Sequence, residues 1–266
     1  KPGPCPPEIS ALDDQDPLRS FREAFDLPDD VIYFDGNSLG ALTKASKAKV
    51  LHTLEHAWGH DLIKSWNSHN WIDLPLTTGE KIAPLIGAAP GQVIACDSVS
   101  VNLYKLLSAA LSMRPDRNKI LSTKNNFPTD LYIASELAAQ QSPAAELVLR
   151  SPEDLVEAID NTVAVVMLTH VDYRSGQISD MAMLTEAAHS KGALILWDLS
   201  HSVGALPLSL DRANVDLAVG CGYKYLNGGP GAPAFAYVAK RLQADFKQPI
   251  AGWMGHKNPF DFSLSY

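Results

Sequence analysis

The sequence predicts an α/β protein with a mainly parallel central sheet and helices on both faces. Two patterns point there. From residue 93 onward, short apolar runs recur between helix-length segments, the alternation expected of βαβ units. Two runs, Val163-Ala-Val-Val166 and Ala193-Leu-Ile-Leu196, lack polar alternation, as strands covered on both faces do. The length of 266 residues, with 46% hydrophobic and 20% charged side chains, allows one large domain or two small ones with a sizeable core.

Element by element, Lys1-Pro-Gly-Pro-Cys-Pro-Pro7 holds four prolines and reads as an extended arm. Val31-Ile-Tyr-Phe34, ended by Asp35-Gly36-Asn37, reads as a strand entering a turn. Thr43 to Trp58 lacks Pro and Gly and repeats apolar residues at helical spacing, so a helix is expected there. Strands are then expected at 93–96, 119–122, 146–149, 163–169, 193–197, 216–219 and 234–238. Helices are expected at 102–113, 130–140, 152–159 and 181–191, with Ser151 and Asp180 as N-caps. The domain boundaries expected are an N-terminal arm with the first strand and turn over 1–42, a large domain over 43–250, and the start of a connection over 251–266.

Composition removes several function classes. Against 22 Lys and Arg stand 30 Asp and Glu, a formal charge of -8, and no basic cluster offers a nucleic-acid footprint. The longest apolar runs fall far short of the roughly 18 residues of a membrane helix, and residues 1–7 have no signal-peptide core. Three unpaired cysteines, Cys5, Cys96 and Cys221, suggest neither a disulfide framework nor a CxxC site, and a reducing cytoplasm is the expected home.

Ligands of parallel α/β sheets sit beyond the carboxyl ends of the strands. Two such ends stand out: Asp198-Leu-Ser-His201 after one apolar run, and Gly220-Cys-Gly-Tyr-Lys-Tyr225 after another. A lysine among small, apolar and aromatic neighbours is a candidate for Schiff-base chemistry, because desolvation favours its neutral amine. A buried Asp198 needs a cationic partner. Together they suit pyridoxal phosphate, whose protonated ring is an electron sink. The plainer readings are a surface lysine and a loop salt bridge.

Six segments are in the order and at the separations of one family. Tyr33-Phe-Asp-Gly-Asn-Ser-Leu-Gly40, Ser65-Trp-Asn67, Phe127-Pro-Thr-Asp130, Trp197-Asp-Leu-Ser-His-Ser202, Tyr223-Lys-Tyr-Leu-Asn-Gly-Gly-Pro-Gly231 and Gly252-Trp-Met-Gly-His256 resemble the kynureninases, in their bacterial form, over nearly the whole chain. The resemblance implies the aspartate-aminotransferase type fold and a homodimer with shared sites. It also implies pyridoxal 5'-phosphate and the hydrolysis of kynurenine, or its 3-hydroxy form, to anthranilate or 3-hydroxyanthranilate plus alanine. That reaction belongs to tryptophan catabolism and NAD precursor synthesis.

By the same resemblance, Lys224 would bind the cofactor covalently, Asp198 would face its pyridine nitrogen, and His201 would order the aspartate. Phe127 would stack on the ring, within the Phe127-Pro128-Thr129-Asp130 turn. Asp130 and Thr169 would touch its polar substituents. Val99 and Ser100, at a helix start, would seat the phosphate with Tyr223, which is also the expected proton relay. Trp253 would reach the neighbouring subunit's phosphate, and Trp66 would lie near the substrate ring. The family continues into a small C-terminal domain that holds the carboxylate-binding arginine and a second phosphate segment, so these are expected beyond residue 266.

Rival readings use the same residues. Gly36-Asn-Ser-Leu-Gly40 matches the nucleophile elbow G-x-S-x-G, giving a serine hydrolase with Ser38, Asp198 and His201. Too few residues precede it for that fold, and Asp and His three apart give no clear triad. A cysteine desulfurase-like enzyme and a non-catalytic dimerising fold are the other two. His52, His56 and His60 are expected to be surface histidines rather than metal ligands, and Gly228-Gly-Pro-Gly231 a turn rather than a phosphate loop.

Overall fold

A computed structural model describes residues 5–141 and 144–264. Residues 1–4 of the expected arm lie outside the described residues. Helix α1 (Pro7–Gln15) begins where the arm was expected to end, with Pro7 at a first-turn position that needs no amide donor. Val31–Phe34 is not a strand: it pairs with no strand among the described residues, and Ile32 and Phe34 are 84% and 89% exposed. Its β-branched composition finds no neighbouring strand, and the Tyr33 hydroxyl instead donates to the Leu39 carbonyl at 2.7 Å.

Helix α2 (Lys44–His52) starts where expected, with the Thr43 hydroxyl accepting from the Ser46 amide. It widens to a π-helical turn over Thr53–Trp58. There the Thr53 hydroxyl donates back to the Lys49 carbonyl, and the Gly59 amide bonds five residues back to Leu54. Short helix α3 (Ser65–Ser68) and helix α4 (Leu74–Ile82) follow. Pro75 and Gly79 hide α4 from a periodicity reading, yet Gly79 is what seats it. A Cβ there would lie 2.1 Å from the Val93 carbonyl oxygen.

The sheet strands are β1 (Val93–Ala95), β2 (Lys119–Thr123), β3 (Glu146–Arg150), β4 (Val163–Thr169), β5 (Leu194–Asp198), β6 (Leu217–Gly220) and β7 (Phe235–Val238). Each falls within a residue or so of its expected place. Their order is β1-β7-β6-β5-β4-β2-β3, with β7 antiparallel to both neighbours and the rest of the block parallel. Helices α5 (Val99–Ser112), α6 (Pro128–Gln140) and α7 (Met181–Ser190) connect them. The Asp180 cap holds, its carboxylate accepting from the Met183 amide at 2.9 Å.

The helix expected at 152–159 is only a 3-10 turn over Pro152–Asp154. Ser151 spends its hydroxyl on the Asp154 carboxylate instead of a backbone amide. The segment then acts as a plug, burying Leu155 and Ile159.

Two apolar clusters cover the two sheet faces. Val166, Leu168, Ile195, Trp197 and Ala218 point to one, with α4 and α7. Val165, Met167, Leu194, Leu196, Leu217 and Val219 point to the other, with α5 and α6. The period of two along β4 to β6 thus feeds both faces, and each fully buried Leu or Ile contributes about 1.5–3 kcal/mol. Among the described residues no helix is long and apolar enough to cross a membrane.

Candidate active site

β1 is antiparallel to β7 and β7 to β6, so β1 runs in the same direction as β6. The carboxyl ends of β1, β2, β4, β5 and β6 therefore share one edge. Register sets the neighbours: Thr169 pairs with Asp198, and Asp198 with Val219. At this edge the turn after β2, the start of α5, the end of β5 and the segment after β6 converge.

Lys224 lies four residues beyond β6, in a segment pinned on both sides. The Gly40 amide donates to the Tyr223 carbonyl at 2.8 Å, and the Asn227 amide to the Lys224 carbonyl at 2.9 Å. Gly40 has to be glycine here, because a Cβ would lie 2.0 Å from the Lys224 carbonyl oxygen. The Gly36–Gly40 segment thus packs on the lysine turn. Its Ser38 is exposed, and no strand leads into it. The nucleophile-elbow reading loses its structural context, and its proposed histidine is engaged elsewhere.

That histidine, His201, has its Nε2 2.6 Å from the Lys224 Nζ. Burial, and then the charge of Lys224, hold its pKa below the usual imidazole range; Asp198 and the Asn37 backbone oppose without reversing this. A neutral imidazole can accept the lysine proton at Nε2, which leaves the ring proton on Nδ1. Nδ1 is buried and makes no close hydrogen bond among the described residues. In this structure His201 bonds to the lysine, and the hydrogen bonds to Asp198 come from Ser200. Its amide and hydroxyl donate to Asp198 Oδ1 at 2.8 and 2.6 Å.

Asp198 is 4% exposed and Asp130, in the first turn of α6, 1%. Burial, and then the negative charge of Asp198, push the Asp130 carboxyl up to about 9, with Lys224 opposing. At neutral pH the pair thus retains a proton. Asp130 Oδ2 has no hydrogen-bond partner among the described residues, an expensive arrangement for the protein alone. Asp130 stands beside Asp198 rather than apart from it, so both belong to one end of the site.

Phe127 precedes Pro128, which opens α6 with Thr129 and Asp130 behind it. Its backbone amide donates to Asn126 Oδ1 at 2.8 Å, and Lys224 Nζ lies 5.9 Å from its ring centroid. The Thr169 hydroxyl donates to the same Asn126 oxygen. Asn126, 5% exposed, also donates to Ser122 at 2.9 Å. Asn126 and Ser200 were not anticipated, and their only signal is their place beside strand ends.

Val99 and Ser100 are the first two residues of α5, earlier than the expected start near Asn102. Ser98 caps the helix, accepting from Val101 at 3.3 Å, and the first i→i−4 bond runs from Asn102 to Ser98. The amides of Val99 and Ser100 thus begin the helix at its positive end.

Tyr223 is 37% exposed, its centroid 6.0 Å from Lys224 Nζ; burial, and then Cys221 and Asp198, raise its phenol pKa. Trp66 and Trp253, expected in different roles, meet each other with centroids 5.6 Å apart; Phe260 and Phe262 flank Trp253. Cys221 is buried, and burial raises its thiol pKa. His52 and His56 are exposed, their ring centroids 4.9 Å apart, and His60 pairs with Asp61. Among the described residues no group of three His, Cys, Asp or Glu is placed to hold a metal ion.

The chain is 51% identical over 258 residues to a kynureninase of Burkholderia pseudomallei, covering 95% of this chain and 62% of that protein. To the kynureninase of Pseudomonas fluorescens it is 49% identical over 262 residues, covering 96% and 63%. The chain thus spans a little over three fifths of the length of these curated relatives. Among solved structures it resembles a C-DES mutant with glycine covalently linked to the PLP cofactor, with TM-score 0.73 and 17% identity over 85% of this chain and 61% of that one. The Escherichia coli cysteine desulfurase CsdA gives TM-score 0.73 at 19% identity, over 91% and 63%. At such identities the structures show the fold alone. The aminotransferase class-V model matches residues 68–256, well over half of the chain, and the chain belongs to that family.

Proposed function

We propose that this chain forms the cofactor-holding part of a pyridoxal 5'-phosphate enzyme that hydrolyses L-kynurenine to anthranilate and L-alanine. The observation that carries the reading is the buried Asp130–Asp198 pair. It retains a proton, and one oxygen lacks a partner, at the same edge as a lysine hydrogen-bonded to a neutral histidine. A cationic pyridine nitrogen is the kind of group that completes such a pair. The kynureninase relatives, at about half identity over nearly the whole chain, favour kynurenine; the desulfurase reading rests on fold alone.

The residues present fit the cofactor. Lys224 would hold it covalently, Asp198 and Asp130 its ring nitrogen, Phe127 its face and Thr169 its ring substituents. Val99, Ser100 and Tyr223 would hold its phosphate, at a helix N-terminus that suits an anion. When bound, it supplies an electron sink for the substrate's α- and β-carbons. Lys224 removes the α-proton, and neutral His201 takes up or returns a proton at Nε2. Tyr223, with its raised pKa, stays protonated at neutral pH and donates from its hydroxyl.

The large domain is assigned to 43–250, after an arm of 1–42 and before a connecting segment from 251. The working unit is a homodimer in which Trp253 reaches the neighbouring site and Trp66 lies toward the substrate ring. The exposed N-terminal side chains Ile32, Phe34, Trp58 and Ile63 support a face that a second copy covers. Three free cysteines fit a reducing cytoplasm.

The test is an absorption spectrum of the full-length protein, followed by anthranilate fluorescence on adding kynurenine. Visible absorption and fluorescent product are expected. Bound cofactor without anthranilate would transfer the protein to another reaction of the same fold.

A further inference from the structure

We propose that Tyr173 is a positioning residue for the site, holding the Phe127 ring in place from a hairpin pinned to the turn after β2. The proposal rests on the cofactor reading above, because Phe127 is the residue assigned to the cofactor's face.

Tyr173 lies between β4 and α7. Its ring meets Phe127 edge to face, with centroids 5.1 Å apart at 82°. Among the described residues it is the only aromatic ring paired with Phe127. A cavity of about 210 Å³, lined by both rings and by Asn125, Thr169 and Met183, adjoins them. Phe127 is half-buried and borders that space, so close-packed core does not fix its tilt on this side.

The hairpin is well fixed. Val171 bridges Ile178, and the Asp172 amide donates to the Gln177 carbonyl at 2.9 Å. Asp172 Oδ1 accepts from the Arg174 and Ser175 amides at 2.9 and 2.7 Å and from the Ser175 hydroxyl at 2.9 Å. Its Oδ2 accepts from Asn125 Nδ2 at 2.9 Å. Asn125 is two residues before Phe127 and Asp172 is next to Tyr173, so this bond ties together the two turns that carry the ring pair. Arg174 Nε donates to the Tyr173 hydroxyl at 2.8 Å, and its guanidinium lies 5.1 Å from the ring centroid, so the tyrosine is itself held.

The experiment uses cofactor-free full-length protein titrated with pyridoxal 5'-phosphate, for wild type, Tyr173→Ala, Tyr173→Phe, Phe127→Ala and the Tyr173→Ala/Phe127→Ala double variant. An edge-to-face pair implies that Tyr173→Ala weakens cofactor binding roughly three- to tenfold. Tyr173→Phe, which keeps the ring, should stay within about twofold of wild type. Because Tyr173 acts through Phe127, the double variant should bind no more weakly than Phe127→Ala alone. Visible circular dichroism of the bound cofactor should change in Tyr173→Ala and return in Tyr173→Phe, a signature that a general loss of stability does not produce.

Tyr173→Ala binding like wild type while Phe127→Ala binds more weakly overturns the proposal. So do losses that multiply in the double variant. Wild-type protein that binds no cofactor overturns the underlying reading as well.

Discussion

Residues 5–70 and the block from β4 to β6 are built on opposite terms. In the first stretch only Gly40, Ala57 and Ser65 are buried; in β4 every residue from Val163 to Leu168 is, as is all of β5 and β6. The central strands hold themselves together, whereas the N-terminal stretch leans on them and leaves Ile32, Phe34, Trp58 and Ile63 exposed. The proposed catalytic groups gather at the ends of the self-sufficient strands, beside a buried carboxyl pair. The exposed apolar side chains belong to the other part.

The largest effect expected is on turnover. Lys224→Ala removes the amine proposed to move the α-proton, and loss of that transfer alone costs about 10²–10⁴-fold; steady-state kinetics on full-length protein reads it. Near-normal kcat would remove the lysine from the mechanism. Stability should divide along the same line. Leu196→Ala, in a fully buried central strand, should cost about 2–5 kcal/mol in denaturant unfolding. Leu54→Ala, 47% exposed in the N-terminal stretch, should stay within about 0.5 kcal/mol. Equal losses at the two leucines would erase the contrast.

The same division governs what could be read from sequence. β4 and β5 were legible because a strand covered on both faces has no polar alternation to obscure it, and the strand-edge positions of Asp198 and Lys224 because one ends such a strand and the other follows one. Val31–Phe34 misled because its composition suits a strand but no partner strand lies beside it. Helix α4 was hidden by Gly79, whose missing Cβ is required by the Val93 carbonyl 14 residues further along the chain, a contact that pattern alone does not reveal. The contacts that tune the site were invisible for a related reason. Asn125 meets Asp172 across 47 residues of chain, and His201 meets Lys224 across 23. Periodicity carries no information about such pairs. The raised pKa of Asp130 likewise exists only once folding buries the carboxyl and brings Asp198 beside it.

Gly40 is where the two regions touch, and it sharpens the comparison. It packs tightly against the lysine turn, with a would-be Cβ 2.0 Å from the Lys224 carbonyl oxygen and 2.8 Å from Asn227 Cα. Both are backbone atoms that cannot swing aside. Gly40→Ala should therefore behave as a core substitution, costing about 1–3 kcal/mol, and should weaken cofactor binding by displacing the lysine turn. Thermal unfolding with and without cofactor separates the two effects. A neutral result would mean that the N-terminal segment rests on the site without constraining it.

The smallest effect per step is a slope with pH. Asp130 has a folded-state pKa of about 9 against 3.8 for an ordinary aspartate. Between those values the native protein keeps a proton that the unfolded chain releases, so stability falls as pH rises through this window and levels off above it. A single proton limits the slope to about 1.4 kcal/mol per pH unit. Asp130→Asn cannot ionise and loses this slope. In cofactor-free protein, the variant's melting temperature should therefore gain on wild type as pH rises from about 5 to about 9. Parallel melting curves would show that the buried pair does not retain its proton, and the site would then have to hold two negative charges side by side before any cation arrives.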